Sequence, residues 1–291
     1  MAGRLSSPDL PCMIKRIGFF AYGVVCYAIF FATFLYAIGF IGGFAVPSTL
    51  DGPARGPLAR GIAIDAGLLA LFAIQHSIMA RRWFKERWTR LVPPALERST
   101  YVLLSSLALI AMFWLWQSLG GVVWSVDDVA GRAVLRGLFA FGFALVLVST
   151  FLINHFDLFG LRQVWLFLRG KPYTALTFGT PGPYRLVRHP LYVGWFFAFW
   201  MTPLMTYAHL LFAVATAAYI LIAIQFEERD LVHFHGGAYE EYRRRVPMLI
   251  PFMRRSASTR RKLQRVGAAA VALMLVKGLV WLAIGAAVLR K

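Results

Sequence analysis

Charged residues are scarce in this chain. They make up only 15% of its 291 residues, and the acidic ones number 13 against 31 lysines and arginines. A soluble domain carries about 25% charged residues, so this balance excludes an ordinary soluble fold. The 59% hydrophobic content instead predicts a protein of the lipid bilayer. The formal net charge of +18 does not indicate a nucleic-acid-binding protein, because the basic residues fall between apolar segments.

Cysteine is scarce as well. Cys12 and Cys26 lie in or near the first apolar segment, without a second pair and without metal-binding spacing. Neither a disulfide framework nor a redox centre is predicted. No metal site is predicted either, since His233 and His235, two residues apart beside a glycine pair, form only a weak pattern.

Apolar segments that could cross a bilayer, which takes about 20 residues each, recur along the chain. The first follows Lys15 and Arg16 and lacks an obvious cleavage site, which favours a retained span over a signal peptide. Helices are expected because they satisfy their own backbone hydrogen bonds in hydrocarbon. We therefore predict an all-α, multi-pass transmembrane bundle of about six to seven spans, the fifth and sixth forming a hairpin. The spans are expected at about 17–46, 61–80, 99–119, 133–153, 190–205, 208–226 and 266–289.

Lysine and arginine alternate between rich and poor segments outside the spans. Three precede the first span, and the next five segments contain two, six, one, five and ten. Those segments are 47–60, 81–98, 120–132, 154–189 and 229–265. Basic segments face the cytoplasm in multi-pass proteins. The pattern therefore predicts a cytoplasmic N-terminus and places all the polar motifs described below on the cytoplasmic side.

A basic, polar cluster at residues 182–194 precedes the fifth span. Pro190 suits the first turn of a helix, where its missing N–H costs nothing. Arg188 and His189 would then lie at a helix N-terminus, where free N–H groups and the helix dipole favour an anion. The cluster indicates either an anion site or a basic cap at the membrane surface.

Glu227 and Glu228 follow directly on the sixth span. If the helix ended there, its dipole would disfavour carboxylates, so their presence suggests a task such as accepting hydrogen bonds from a ligand. The alternative is an ion pair with Arg185, Arg188 or Arg229. Residues 239–243 are expected to form an amphipathic helix that folds back from a hinge at Gly236 and Gly237.

Three strings in this region carry a family resemblance: Arg-His-Pro-x-Tyr-x-Gly at 188–194, Glu-Glu-x-x-Leu at 227–231 and Gly-x-x-Tyr-x-x-Tyr at 236–242. Together they resemble the C-terminal signature of the integral-membrane methyltransferases that include isoprenylcysteine carboxyl methyltransferase. The resemblance implies that S-adenosylmethionine is the cofactor and that it binds in a cytoplasmic pocket. The implied binding residues are Tyr184, Arg188, His189, Leu191, Tyr192, Gly194, Glu227, Glu228, Tyr239 and Arg243.

The resemblance also implies a division of the chain. Residues 1–251 are predicted to form the membrane methyltransferase domain, with the signature at 180–247. Residues 252–291 would add a basic linker and an apolar helix. Lys277 interrupts that helix midway, so it is predicted either to cross the membrane or to lie along its surface.

Two further polar strings, at 75–81 and 154–163, resemble the methanethiol S-methyltransferases. The resemblance implies methylation of a small volatile thiol, methanethiol, to dimethyl sulfide. A thiol must lose its proton to become a strong nucleophile, so either His76 or His155 is a candidate base. Asp157 and Asn154 are candidates to complete the site, and Arg162 or Arg81 to stabilise the thiolate.

Several alternatives stay open at this point. His76 is equally consistent with a residue that binds lipid phosphate, and Asp157 with an ion-pair partner of Arg162. The same fold would suit methylation of a prenylcysteine carboxylate or a lipid head group, and a non-enzymatic membrane carrier or sensor is a further possibility. The oligomeric state is not predicted.

Overall fold

Residues 10–251 are described by the computed structural model, and they form a bundle of helices. Within this part of the chain, five helices are long and apolar enough to cross a membrane. They are α1 (Leu10–Gly42), α2 (Leu58–Ala80), α4 (Pro94–Leu115), α5 (Val129–Ile153) and α9 (Tyr207–His235). The predicted multi-pass helical bundle is confirmed. The predicted segment 266–289 and the whole of 252–291 lie outside the described residues.

Shorter elements connect the long helices. Five are α-helices: α3 (Arg82–Trp88), α6 (His155–Leu158), α7 (Leu161–Leu168), α8 (Pro190–Trp200) and α10 (Gly237–Arg245). A 3₁₀ turn spans Gly182–Arg185, and the strands β1 (Val122–Ser125) and β2 (Leu204–Thr206) pair antiparallel. This two-stranded sheet was not predicted.

The predicted fifth span, 190–205, is a much shorter helix in the structure. Helix α8 has 11 residues, so it rises only about 16 Å, against about 30 Å of hydrocarbon. The sequence explains the stop, because Pro203 disfavours helical backbone at Thr202. The chain then runs to β2, where Val126 N–H donates to the Pro203 carbonyl and Trp124 Nε1 to the Thr202 carbonyl. The polar groups of this irregular backbone are therefore hydrogen-bonded by other parts of the protein, so they need no partner in the lipid.

Polar side chains begin two of the long helices. Asp128 accepts a hydrogen bond from Gly131 N–H at the start of α5, and Thr206 accepts one from His209 N–H at the start of α9. At this end of the bundle Asp51 also bonds Thr206 and His209, at 2.7 and 3.0 Å. The loop after α1, strand β2 and α9 are thus joined at the end of the bundle opposite the signature.

Helices α5 and α8 approach each other through glycine. A Cβ on Gly194 would lie 2.7 Å from the Gly142 carbonyl oxygen, and one on Gly142 would lie 2.6 Å from the Ala198 nitrogen. Two backbones can come this close only where neither residue has a side chain. The contact fixes α8, and with it the signature residues at its N-terminus, against a membrane-spanning helix.

We expect Gly194→Ala to lower the free energy of unfolding by about 1–3 kcal/mol, because the added methyl group overpacks this contact. Thermal unfolding in detergent measures the change. Gly137→Ala in α5 is the matched control, since a Cβ there has no neighbour within 4 Å, and it should be neutral or slightly stabilising. Equal stability of the two variants would contradict the packing role of Gly194.

Candidate functional site

A buried ion pair joins the two halves of the signature. The guanidinium of Arg188 contacts Glu228 Oε1 through Nη2 at 2.6 Å and through Nε at 2.7 Å. His189 Nε2 lies 3.1 Å from the same oxygen. Arg188 and His189 are each 4% exposed and Glu228 is 8% exposed. Because all three contacts converge on Oε1, the second carboxylate oxygen, Oε2, takes no part in them.

Arg188 also binds the chain that follows α9. Its Nη1 donates to the carbonyls of Arg243 and Val246, at 3.0 and 2.8 Å. Its backbone N–H donates to the Pro247 carbonyl at 2.8 Å. One arginine therefore holds a carboxylate of α9 and the end of α10 together, and it is the carbonyl of Arg243, not its side chain, that joins this network.

Glu227 accepts a separate hydrogen bond. The Tyr192 hydroxyl donates to Glu227 Oε2 at 2.7 Å. The two glutamates thus point to different partners, Glu228 to a cation and Glu227 to a phenol. This leaves oxygens of both carboxylates able to accept further hydrogen bonds.

The premise that these glutamates end a helix is wrong. Helix α9 continues to His235, about two turns beyond Glu228. Arg188 neutralises Glu228, and beyond it Asp230 pairs with Arg81 and His233 contacts Arg82. Of the three arginines considered as ion-pair partners, Arg188 is the one that pairs with Glu228.

Helix α10 packs back on this network from the turn at Gly236, as the sequence predicted. Gly236 has φ +54°, a left-handed conformation that glycine adopts readily. Burial raises the pKa of Tyr242 to about 12. Its hydroxyl therefore keeps its proton at neutral pH and donates to the Tyr184 carbonyl at 2.6 Å.

Tyr239 has an unusual position on α10. Its side chain is 2% exposed, and its hydroxyl has no hydrogen-bond partner within residues 10–251. Burial raises its pKa, with Glu228 acting in the same direction and Arg188 opposing it. A buried polar atom without a partner is costly, so a ligand hydroxyl or amine fits here.

An open cavity of about 300 Å³ lies beside α10. Phe178, Thr180, Arg185 and Tyr242 line part of it. The ring of Phe178 also contacts the rings of Tyr239 and Tyr242, with centroids 5.7 and 5.5 Å apart. Phe178 therefore lines the cavity and also packs against the buried side chain of Tyr239.

In the second predicted cluster, which follows α5, the polar groups of His155 form hydrogen bonds with neighbouring protein side chains. His155 is 2% exposed, with Nε2 2.9 Å from the Tyr27 hydroxyl and Nδ1 2.8 Å from Thr150 Oγ1. The Phe151 ring stacks on it at 4.2 Å. Burial lowers the pKa of His155, so the imidazole is neutral at pH 7, with both nitrogens engaged.

Asn154, Asp157 and Arg162 organise the loop around His155. Asn154 Oδ1 accepts from Asp157 N–H, and Asp157 Oδ1 pairs with Arg162 Nη1 at 2.8 Å. Arg162 donates further to Thr174, whose carbonyl lies 2.9 Å from Nη1. The alternative predicted for Asp157, an ion pair with Arg162, is the arrangement observed.

His76 lies in a different place, on α2. Its Nδ1 is 3.2 Å from Ser105 Oγ, and the Tyr101 hydroxyl lies 2.9 Å from Nε2. The adjacent Ser77 bonds the Tyr219 hydroxyl of α9 at 3.2 Å. The polar strings at 75–81 and 154–163 are therefore separate clusters with different partners.

The comparisons with known proteins bear on this architecture. The chain is 57% identical over 240 residues to a methanethiol S-methyltransferase from Crocosphaera subtropica, covering 82% of this chain and 94% of that protein. It is 51% identical over 242 residues to a methanethiol S-methyltransferase from Mycobacterium tuberculosis, covering 83% and 99%. The chain belongs to the methanethiol S-methyltransferase family.

More distant similarity extends to another membrane protein. The chain is 27% identical over 265 residues to nurim from Xenopus laevis, covering 83% of this chain and 91% of nurim. No family model and no solved structure matches. The family resemblance predicted from the sequence is confirmed.

Gly194 and Arg188, both expected to bind the cofactor, contact other parts of the protein in this structure. Gly194 lies against α5, and the Arg188 side chain is occupied by Glu228 and by two carbonyls. Leu191 is half-buried beside Pro190 in the first turn of α8. Phe178, Tyr101 and Tyr219 were not predicted, because the sequence around a single aromatic residue does not reveal which distant residues it contacts.

Glu228→Gln is expected to lower the free energy of unfolding by about 3–5 kcal/mol, because it leaves the buried Arg188 charge without its partner. Thermal unfolding of the detergent-solubilised protein measures the loss. Glu241→Gln is the control, since Glu241 pairs with Arg244 and Arg245 at an exposed face of α10, and its stability should not change measurably. A Glu228→Gln variant as stable as the control would contradict the structural role of the pair.

Proposed function

We propose that this protein transfers a methyl group from S-adenosylmethionine to methanethiol, giving dimethyl sulfide and S-adenosylhomocysteine. The observation that carries the proposal is the buried Arg188–His189–Glu228 network with Tyr192–Glu227 beside it, in a chain 57% identical to a methanethiol S-methyltransferase. Methyl transfer needs a donor site and a site for the thiol. The signature network suits the first of these.

The residues present fit the donor. Its ribose hydroxyls and its amino group are hydrogen-bond donors. Glu227 is an acceptor, and so is Oε2 of Glu228, which binds no other group among residues 10–251. The lone Tyr239 hydroxyl offers a further partner in the buried part of the site. The methionyl carboxylate suits the N-terminus of α8, beside His189, where N–H groups are free and the dipole favours an anion.

Other signature residues position these groups. Arg188 holds Glu228 in place and fastens the end of α10. Tyr184 binds α10 through its carbonyl, and the aromatic faces of Phe178 and Tyr242 line a cavity of the size that small ligands use. S-adenosylmethionine, when bound, supplies an electrophilic methyl group, and these residues hold it in place.

We place this site on the cytoplasmic side. The lysine- and arginine-rich segments 81–98 and 229–251 come together at the signature end of the bundle, as the Arg81–Asp230 and Arg82–His233 contacts show. Basic segments face the cytoplasm, where S-adenosylmethionine is available. Asp127 lies at the other end, beside strand β1.

Purified protein is expected to convert methanethiol and S-adenosylmethionine to dimethyl sulfide, measured by gas chromatography. Glu227→Gln should weaken the binding of S-adenosylmethionine by about tenfold to a hundredfold, which corresponds to the loss of about 1.5–3 kcal/mol from one charged hydrogen bond. Calorimetric titration measures this affinity. The matched control is Glu240→Gln, at an exposed position of α10. Methylation of a prenylcysteine in place of methanethiol would sink the proposed acceptor, and unchanged affinity in Glu227→Gln would sink the donor site.

The orientation can be measured by cysteine labelling. In a variant without Cys12 and Cys26, an impermeant thiol reagent applied to intact cells should modify Asp127→Cys and spare Arg87→Cys. Permeabilised cells should label both and so control for accessibility. The reverse pattern on intact cells would put the signature network on the outer face, away from the supply of its donor.

A further inference from the structure

Within residues 10–251, two histidines lie within hydrogen-bonding distance of a tyrosine hydroxyl. In one pair, the Tyr27 hydroxyl bonds His155 at 2.9 Å, and in the other the Tyr101 hydroxyl lies 2.9 Å from His76 Nε2. Both histidines are candidates for the base that removes the thiol proton. The surroundings of the two pairs distinguish them.

The nitrogens of His155 are both engaged by well-placed hydroxyls, those of Tyr27 and Thr150. The contact of Tyr101 with His76 has another geometry. Its hydroxyl oxygen is 2.9 Å from Nε2 and 3.0 Å from Nδ1. An atom equidistant from both nitrogens at this range would collide with Cε1 if it lay in the ring plane, so it must lie over the ring face.

This geometry leaves one acceptor position of His76 open. Ser105 Oγ lies 3.2 Å from Nδ1, and it can accept the Nδ1 proton and fix that tautomer. Tyr101, over the ring face, does not occupy the in-plane lone pair of Nε2. In its neutral form, His76 can therefore accept one proton at Nε2, whereas His155 must first break a hydrogen bond.

His76 also lies on the side of the bundle that carries the signature. Its ring stacks on Phe72 at 5.1 Å, and Phe72 in turn contacts Tyr219. Tyr219 bonds Ser77, next to His76, and belongs to α9, the helix of Glu227. Glu227, about two turns beyond Tyr219 on α9, accepts the hydrogen bond of Tyr192.

A positive charge lies beside the pair. The Arg98 guanidinium is 5.7 Å from the ring centroid of Tyr101, whose hydroxyl lies 2.9 Å from His76 Nε2. Arg98 forms no salt bridge with a carboxylate among residues 10–251, whereas Arg81 and Arg162 both do. Arg98 is therefore better suited than either to stabilise a thiolate.

We propose that His76, Tyr101 and Arg98 form the thiol-binding subsite, with His76 as the base, Arg98 as the group that stabilises the thiolate and Tyr101 as a positioning residue. This deepens the proposed function and rests on it. The subsite lies between α2, α4 and α9, and its apolar wall at Phe72 suits an acceptor of one carbon and one sulfur.

The chemistry balances without any further reactant. The thiol S–H proton passes to His76 Nε2, and the charge of Arg98 stabilises the thiolate. The thiolate sulfur forms the new S–C bond while the S–C bond of the donor breaks, its electron pair remaining on the donor sulfur. His76 then returns its proton to water.

The test compares His76→Gln and Tyr101→Phe with Tyr27→Phe, which removes the corresponding hydroxyl from the other pair. Dimethyl sulfide formation is measured against pH, together with calorimetric affinity for S-adenosylmethionine. His76→Gln should lower the methanethiol rate by about 10²–10⁴-fold at neutral pH and leave donor affinity nearly unchanged. Tyr101→Phe should lower the rate in the same direction.

Two readouts separate a base from a structural residue. The His76→Gln rate should recover as pH rises, because more methanethiol is then ionised, and its defect should shrink at least tenfold with the more acidic 2,2,2-trifluoroethanethiol. Arg98→Gln should raise the KM for methanethiol and shift the pH profile to higher pH. Tyr27→Phe should show neither rescue nor shift.

The outcomes distinguish the subsite from the function. Wild-type protein that makes no dimethyl sulfide would overturn the proposed function itself. Active wild-type protein with an unchanged pH profile in His76→Gln and Tyr101→Phe would overturn only the subsite. Alkaline rescue found in His155→Gln instead of His76→Gln would assign the base to the other pair.

Discussion

The pairing of Arg188 with Glu228 determines how the signature region is built. An unpaired charge in this setting would cost several kcal/mol, so the guanidinium and the carboxylate must meet. Arg188 lies two residues before the first residue of α8, and Glu228 belongs to α9. Their contact therefore holds the two helices together at one end. Arg188 Nη1 reaches the carbonyls of Arg243, in the last turn of α10, and Val246, directly after it, so three elements depend on one side chain.

The two ends of the bundle are held in different ways. At the signature end, ion pairs and tyrosine hydroxyls join helices that carry candidate binding groups. At the opposite end, a two-stranded sheet and the Asp51–His209 contact hold the loops together. The proposed reaction unites a cationic donor with an anionic acceptor and yields two neutral sulfides. Loss of opposite charges is favoured by a dry environment, which the interior of a membrane bundle provides.

Much of the fold could be predicted from the sequence, because a membrane-spanning helix needs an apolar segment as long as the bilayer is thick. The errors came from local effects. Pro203 shortened the fifth span, and α9 runs past Glu228, which pairs with Arg188 from within the helix. For the site, the signature strings located the ionic network. The partners of His76 and His155 could not be predicted, since contacts such as Tyr101–His76 span distant parts of the chain.

Helix α10 is attached differently from the rest of the molecule. It begins at a left-handed glycine, Gly236, and a few directed hydrogen bonds, such as those from Tyr242 and Arg188, join it to its neighbours. Helices buried in the bundle can lose their hydrogen bonds only when much apolar surface is exposed, whereas α10 can detach at far lower cost. Its amide protons should therefore exchange with solvent before those of α9.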